Sequence, residues 1–423
     1  MERLAMLELI RWKNKTDRKP LFIRGARQVG KTWLMKEFGL NEYNDLAYID
    51  FETTKSLHSL FEQGLDIDRI FTAIQIQTGV TINNNTLLVF DEIQAAPSAI
   101  AAIKYFYENI PDIHIIAASS LAGNIFDTKE DISYMECMDM HPMNFSEFLA
   151  GVGEPQLLEL IESRDWNLVN TFREKYLKLL RDYCYVGGMP EAVITYSYNH
   201  DPKKSREVHK KILSLYKKDF NTSFGDISPR IFTLWESIPT QLFKENKKFI
   251  YKVMKPGARA REYEPVISWL EACGLIYKIN RVSNPEMPVN EHEDTDAFKI
   301  FPMDTGILCA MCNTDIKILS SGNSILTNFY GAITEQYVAQ QLISNGFIDV
   351  YYWSSDTSRA EVDFLVHFDG KIVPVEVKAE ENPKAKSLRV FCDRFNPQLA
   401  VRISTSDFRK DDWMINLPLY ATN

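Results

Sequence analysis

Long apolar runs are missing from this chain of 423 residues. No uninterrupted apolar stretch approaches the ~18–20 residues that a membrane span requires, so a spanning helix is not expected. Cysteine is sparse: six residues, scattered, without the paired spacing of a disulfide framework, which suits a reducing compartment. Cys309 and Cys312 form a lone C-x-x-C with no second pair and no nearby histidine. Two small apolar side chains on a helix are expected there, not zinc or redox chemistry. The opening stretch, Met1-Glu-Arg-Leu-Ala-Met-Leu-Glu8, carries acids where a secretory leader would have none. An amphipathic helix and a cytoplasmic protein are expected. Internal repeats and low-complexity tracts are absent. Positive charge is also short, because a net charge of −9 disfavours generic binding to polyanions. The deficit is uneven, however. Residues 202–262 hold 15 Lys/Arg against 6 Asp/Glu, a local +9, so the remainder carries −18. That segment is the candidate footprint for an anionic partner such as nucleic acid.

What is present begins at residues 21–32. Leu21-Phe22-Ile23 leads into Gly25-Ala26-Arg27-Gln28-Val29-Gly30-Lys31-Thr32, followed by Trp33 and a helix-compatible stretch. Strand, glycine loop and helix N-terminus is the context of a phosphate-binding P-loop. Gly25 and Gly30 let successive N–H groups converge on phosphate oxygens, and the helix dipole adds partial positive charge. Lys31 is expected to reach the β- and γ-phosphates of ATP, and the Thr32 hydroxyl to ligate Mg²⁺. Some 60 residues on, the apolar run 86–90 ends in Asp91 and Glu92. Asp91 is expected to hold the Mg²⁺ shell, and Glu92 to orient and deprotonate the attacking water. Ser119 or Ser120, ending the strand 113–118, is placed to contact the γ-phosphate or that water. Arg24 and Arg27 flank the loop, either facing phosphate or solvated.

Apolar strand patterns at 21–23, 46–52, 86–90, 113–118 and 135–140 alternate with helical stretches, which means a parallel sheet covered on both faces. Residues 165–220 read as helical apart from the interruption 185–193. Helices over 228–272 precede a hairpin, 275–282 with 297–301, and suggest a winged helix. The tip, 284–296, is rich in Glu, Asp and Pro. The last unit opens with a helix over 326–345, followed by strands 350–353, 361–368 and 371–378, a helix 384–395 and a strand 400–404. The resulting division is 1–160, 161–227, 228–320 and 321–423: ATPase core, helical linker or lid, winged-helix-like domain and C-terminal domain.

In the C-terminal unit, Asp369-Gly370 between alternating apolar residues is a two-residue hairpin signal. With Phe368 opposite Lys371, Asp363 faces Glu376 and Glu361 faces Lys378. Val362, Phe364 and Val366 are then expected on the other face with Val373, Val375 and Val377. Two opposed carboxylates repel unless something neutralises them. A divalent cation between Asp363 and Glu376 would do so, with Lys378 stabilising charge and Glu335 adding a third acid. The competing reading is ion pairing to Lys378 on a solvated face, with no metal.

The ordered set Gly25 to Thr32, Phe90-Asp-Glu-Ile-Gln94, Ala118-Ser-Ser120, His141-Pro-Met-Asn-Phe-Ser-Glu-Phe148 and Gly187-Gly-Met-Pro-Glu191 resembles the prokaryotic predicted ATPases of the AAA+ superfamily that carry a C-terminal domain of unknown function. The resemblance implies an α/β multidomain chain. Its parts would be a P-loop AAA+ type parallel sheet, a helical/winged-helix middle unit and a C-terminal restriction-endonuclease-like α/β domain. It also implies Mg-ATP as ligand, and a strand-end polar sensor at Ser119 or Ser120. The turn 187–190 is similar to a Gly-x-Pro element that contacts nucleotide in signal-transducing ATPases. No arginine can be assigned as a finger. Asp363 with Glu376-Val-Lys378 resembles the PD-(D/E)-x-K core, with Glu335 matching the acid of its first helix and Val362 replacing the motif's proline. Three functions follow: an ATPase that switches appended domains, an ATP-gated metal-dependent nuclease, and a non-catalytic, ATP-controlled regulator that binds nucleic acid or protein.

Overall fold

The computed structural model describes residues 3–121, 132–223, 227–244, 247–317, 327–347, 349–355, 360–379 and 385–422. The chain divides into two compact units, Met1–His141 with Pro265–Leu275, and Pro142–Glu264 with Ile276–Asn423.

The first unit is built on β1 (Leu21–Arg24), β2 (Asp45–Asp50), β3 (Thr86–Asp91), β4 (His114–Ser119) and β5 (Glu136–Asp139). They form one parallel sheet ordered β2-β3-β4-β1-β5. The apolar runs are explained by burial on both faces, as parallel sheets require; every residue of β3 is buried. Phe22, Ile49, Leu88 and Phe90 pack with Ile74, Ile100 and Phe106 from the helices Ile67–Thr78 and Ser98–Asn109. Asp66 caps the first of these helices by accepting from Arg69 N at 3.1 Å. Because β4 lies between β1 and β3, with Ser119 in register with Arg24, the C-terminal ends of all three strands meet at one edge. The expected parallel sheet is therefore present, strand for strand.

In the second unit, helices including Phe145–Gly151, Arg173–Val186, Pro202–Ser223 and Ser228–Leu242 accompany a mixed sheet of eight strands. These are β6 (Ile276–Val282), β7 (Glu293–Pro302), β8 (Val350–Ser354), β9 (Glu361–Phe368), β10 (Lys371–Lys378), β11 (Val401–Ser404), β12 (Arg409–Lys410) and β13 (Ile415–Pro418), ordered β12-β13-β11-β10-β9-β8-β6-β7. The β6–β7 hairpin, expected as a separate wing, is instead the edge of this sheet, with Arg281 and Val282 pairing to Tyr352 and Trp353 of β8. A lone two-stranded ribbon is marginal in water, and the C-terminal strands complete it. Segments 228–320 and 321–423 thus share one sheet, and the boundary drawn between them lies outside the described residues. The first compact unit ends at His141 in this part of the chain, and residues 142–160 lie in the second. Asn144 and Glu147 make a reciprocal capping box, and the N–H of Phe145 donates to Gln341 Oε1 at 2.7 Å. Cys309 lies, as expected, in a helix, Thr305–Met311, with Cys312 at its C-terminal cap; both are free thiols.

Candidate functional site

The loop after β1 is held closely. A Cβ on Gly25 would lie 2.3 Å from the Met140 carbonyl oxygen, which leaves no room for a side chain. Gly30, at φ +98°, starts the helix Lys31–Glu42 from the left-handed region that glycine tolerates. Ala26 and Val29 are buried, Gln28 is exposed, and Trp33 is 42% exposed at the edge of the loop. Lys31 is buried, and its Nζ donates to the carbonyls of Gly25 at 2.7 Å and Ala26 at 3.1 Å. Burial lowers its pKa, partly offset by the charges of Glu92 and Asp91.

At the end of β3, Asp91 Oδ2 accepts from Thr32 Oγ1 at 2.6 Å and from the Tyr48 hydroxyl at 2.7 Å, while Oδ1 accepts from the N–H of Glu92 at 2.9 Å. Burial raises the Asp91 pKa against the pull of these hydrogen bonds. Glu92 sits at φ +51°, a conformation that costs a non-glycine residue about 1 kcal/mol or more and is typical of functional turns. Its Oε2 accepts from Gln94 Nε2 at 2.6 Å, Ser120 Oγ at 2.7 Å and Ser120 N at 3.2 Å. Burial alone would raise the Glu92 pKa, but Lys31 and these hydrogen bonds outweigh it and bring the group below the ordinary carboxylate value. Glu92 is therefore an ionised carboxylate at neutral pH.

The two serine alternatives separate. Ser120 donates to Glu92 itself, whereas the Ser119 hydroxyl donates to Gln94 Oε1 at 2.6 Å. Gln94 links the two, and it was discoverable as the last polar residue of Phe90-Asp-Glu-Ile-Gln94. Tyr48 gave no such signal; its role arises from β2 lying beside β3. Arg24 is bidentate to Asp139, with Nη2–Oδ2 at 2.8 Å, and Arg27 Nη2 meets Glu52 at 2.5 Å, so each loop arginine has an acid partner. A third unforeseen neighbour is Gly274, at φ +68°, just after the helix Ala260–Ala272. A Cβ there would lie 3.1 Å from Ala26 N and 3.2 Å from Gly25 Cα.

The turn 187–190 is closely packed. Within the second unit the Gly188 N–H donates to Asp304 Oδ2 at 2.5 Å, and its carbonyl accepts from Met143 N at 2.7 Å. A Cβ on Gly188 would lie 1.9 Å from the Met143 oxygen. Both backbone groups are spent on close packing, which is why glycine stands there.

Of the acids expected to form the C-terminal site, Glu335 and Glu376 are buried, and Asp363 and Glu361 are half-buried. Glu335 is 1% exposed and each of its oxygens is held by an ammonium group, Oε2 by Lys247 and Oε1 by Lys299 at 2.9 Å. Lys299 is fully buried and also meets Glu361 at 2.6 Å, so Glu361 pairs with Lys299 and not with Lys378. Burial would raise the Glu335 pKa; Lys247 and Lys299 prevail and bring it down to about 2. Lys378 pairs with Glu376 Oε1 at 2.6 Å, and the buried Glu376 Oε2 has no hydrogen-bond partner among the described residues.

The β9–β10 turn has Asp369 and Gly370 both at positive φ, +50° and +71°, and the expected register holds from Lys371–Phe368 to Val375–Phe364. The ladder stops there because Asp363 Oδ2 captures the N–H of Val377 at 2.8 Å. A bulge opposite Tyr352 also breaks the expected alternation in β9. Val362 and Leu365 consequently share one apolar cluster with Trp353 and Phe391, while Phe364 packs on Phe301 at 6.2 Å. Burial, then the charge of Glu335, raises the Asp363 pKa to about 6; burial, then Asp363, raises that of Glu376 to about 7. Among the described residues no three His, Cys, Asp or Glu side chains form a metal-holding group. Both oxygens of Glu335, the third acid of the expected trio, are held by lysines.

A parallel sheet of this order, with a glycine loop after β1 and adjacent acids after β3, matches the P-loop fold of the AAA+ type. Residues 17–149 match the family model described as an AAA domain. Residues 177–317 match a domain of unknown function, DUF8612, and residues 330–420 match another, DUF4143. No match to the chain was found among curated proteins. Among solved structures, the Walker-type ATPase PABY2304 of Pyrococcus abyssi is 15% identical, with a TM-score of 0.44 over 74% of this chain and 95% of that one. Drosophila ORC bound to DNA is 14% identical, with a TM-score of 0.30 over 76% and 95%. The Aeropyrum pernix ORC1 protein in complex with DNA is 9% identical, with a TM-score of 0.27 over 73% and 90%. No helix among the described residues is long and apolar enough to cross a membrane.

Proposed function

We propose that the chain is a cytoplasmic ATP hydrolase of the AAA+ type, in which the state of the bound Mg-ATP switches the appended units. The observation that carries this reading is the 2.6 Å contact between the Thr32 hydroxyl and the Asp91 carboxylate beneath a buried Lys31. These are two hard oxygen groups of the kind Mg²⁺ prefers. They fit the ion, which when bound would neutralise charge on the β- and γ-phosphates. Residues 25–30 would wrap the phosphates with backbone N–H groups, and Lys31 would exchange its carbonyl partners for phosphate oxygens. Ionised Glu92, oriented by Ser120 and Gln94, is the general base that takes a proton from water. Ser119 is the strand-end sensor, acting through Gln94. Lys31→Ala removes hydrogen bonds to charged oxygens worth roughly 1.5–3 kcal/mol each, so ATP affinity should fall about 10²-fold or more in a fluorescent-nucleotide titration. An unchanged affinity and turnover would refute the reading. The partner assigned to the output is nucleic acid, met through segment 202–262.

A second reading, an ATP-gated metal-dependent nuclease, draws on the buried, unpartnered Glu376 Oε2 in the field of Asp363. Asp363 and Glu376 would hold a divalent cation that polarises a phosphodiester, with Lys378 steadying the charge. Wild type should then cleave DNA or RNA with Mg²⁺ or Mn²⁺, and Asp363→Ala should not. Absence of wild-type cleavage across both metals, with and without ATP, rejects it.

A further inference from the structure

The helix Pro202–Ser223 carries lysine in pairs, Lys203–Lys204, Lys210–Lys211 and Lys217–Lys218, each pair seven residues beyond the last. Seven residues advance a helix about 10.5 Å and bring it back to nearly the same azimuth, so the pairs form one row about 21 Å long. All six lysines are exposed. The opposite face, with Val208, His209, Ile212, Tyr216 and Phe220, is buried, which fixes the helix as a rigid support. The row is only lightly neutralised. Glu207 bonds Lys210 at 2.8 Å and Glu236 reaches Lys217 at 3.5 Å, whereas Lys203, Lys204, Lys211 and Lys218 have no acidic partner among the described residues. The side chains filling the row, Glu207, Ser214 and Asn221, are exposed and polar, and no aromatic side chain is exposed on it.

We propose that this face holds the phosphate backbone of a nucleic-acid duplex without reading its sequence; the inference rests on the nucleic-acid partner assigned above and narrows it to one surface. Lysine supplies compact point charges that suit phosphate, whereas base reading favours the bidentate fork of arginine. Sequence-tolerant single-strand grooves rely on aromatic stacking, for which this face offers no ring. A straight row of evenly spaced charges instead matches a regular double-helical backbone.

The test is fluorescence anisotropy of the full chain with labelled duplexes of unrelated sequence and with a matching single strand, titrated with NaCl. One variant carries Gln at all six lysines. A second carries Gln at Lys252, Lys255, Arg259 and Arg261, exposed residues of the same basic segment. Each neutralised phosphate contributes about 0.9 to the slope of log K against log salt for duplex DNA, so the six-lysine variant should lose up to about 5 from that slope. Its affinity at low salt should fall about 10²-fold or more, while duplexes of different sequence differ by less than about threefold. The four-residue variant should change far less, and ATP turnover of both should match wild type, which reports intact folding. A six-lysine variant that keeps the wild-type slope overturns the inference while leaving the nucleic-acid partner standing. So does an equal loss in the four-residue variant, or a single strand bound as tightly as duplex. Wild type that binds no duplex at low salt overturns the partner assignment as well.

Discussion

Replacing Glu92 by Gln is expected to lower ATP turnover about 10²–10⁴-fold, the usual contribution of a positioned general base, while leaving ATP affinity within about threefold of wild type. The amide keeps the size and an oxygen acceptor for Ser120 and Gln94, so the hydrogen-bonded arrangement around β3 and β4 survives. What disappears is the ionised carboxylate that Lys31 and its hydrogen bonds hold below the ordinary carboxylate range. Steady-state phosphate release alongside a fluorescent-nucleotide titration separates the two quantities. A variant that loses binding and turnover together would place Glu92 in nucleotide retention and not in water activation.

Lys299→Met should destabilise the second unit by about 3–5 kcal/mol at neutral pH, because removing one partner leaves buried charge uncompensated. Methionine fills the space of the stem, yet Glu335 keeps only Lys247, and Glu361 loses its 2.6 Å partner. The pH dependence has a definite sign. In the native protein the Glu335 carboxyl titrates at about 2, below its unfolded value. Its ion pairs therefore add stability above about pH 4.3, which is lost as pH falls through the folded value. The penalty of Lys299→Met should be largest near neutrality and shrink between about pH 4 and 2. Urea unfolding at a series of pH values measures it. A midpoint that stays at the wild-type value at pH 7 would mean the cluster contributes nothing to folding.

The P-loop and the acids after β3 were legible because their signals are local: buried parallel strands read as apolar runs, and glycine spacing fixes the loop between them. The same locality predicted the Asp369–Gly370 turn and the register beside it. Legibility failed where partners are distant in sequence or where periodicity breaks. Lys299 and Lys247 reach Glu335 from other elements, and no spacing rule connects them. The bulge at Asp363–Phe364 inserts one residue into β9, so a period of two could not say that Val362 and Leu365 share a face. The β6–β7 hairpin has the pattern of a wing, and nothing in it reveals that a strand some 70 residues later pairs along its open side. Tyr48 is similar: its contact with Asp91 depends on the order of strands, which hydrophobic pattern does not specify.

Gly274, whose backbone lies against Gly25 and Ala26, is followed by Leu275 and then directly by the first residue of β6. Two residues span at most about 7 Å when fully extended, so this connection is a tether with almost no slack. A longer, looser linker would let the loop of Gly25 and Ala26 rearrange without being felt further along the chain. Here, any displacement of the loop backbone that pushes on Gly274 must be taken up within two peptide units or passed on to the strand that follows.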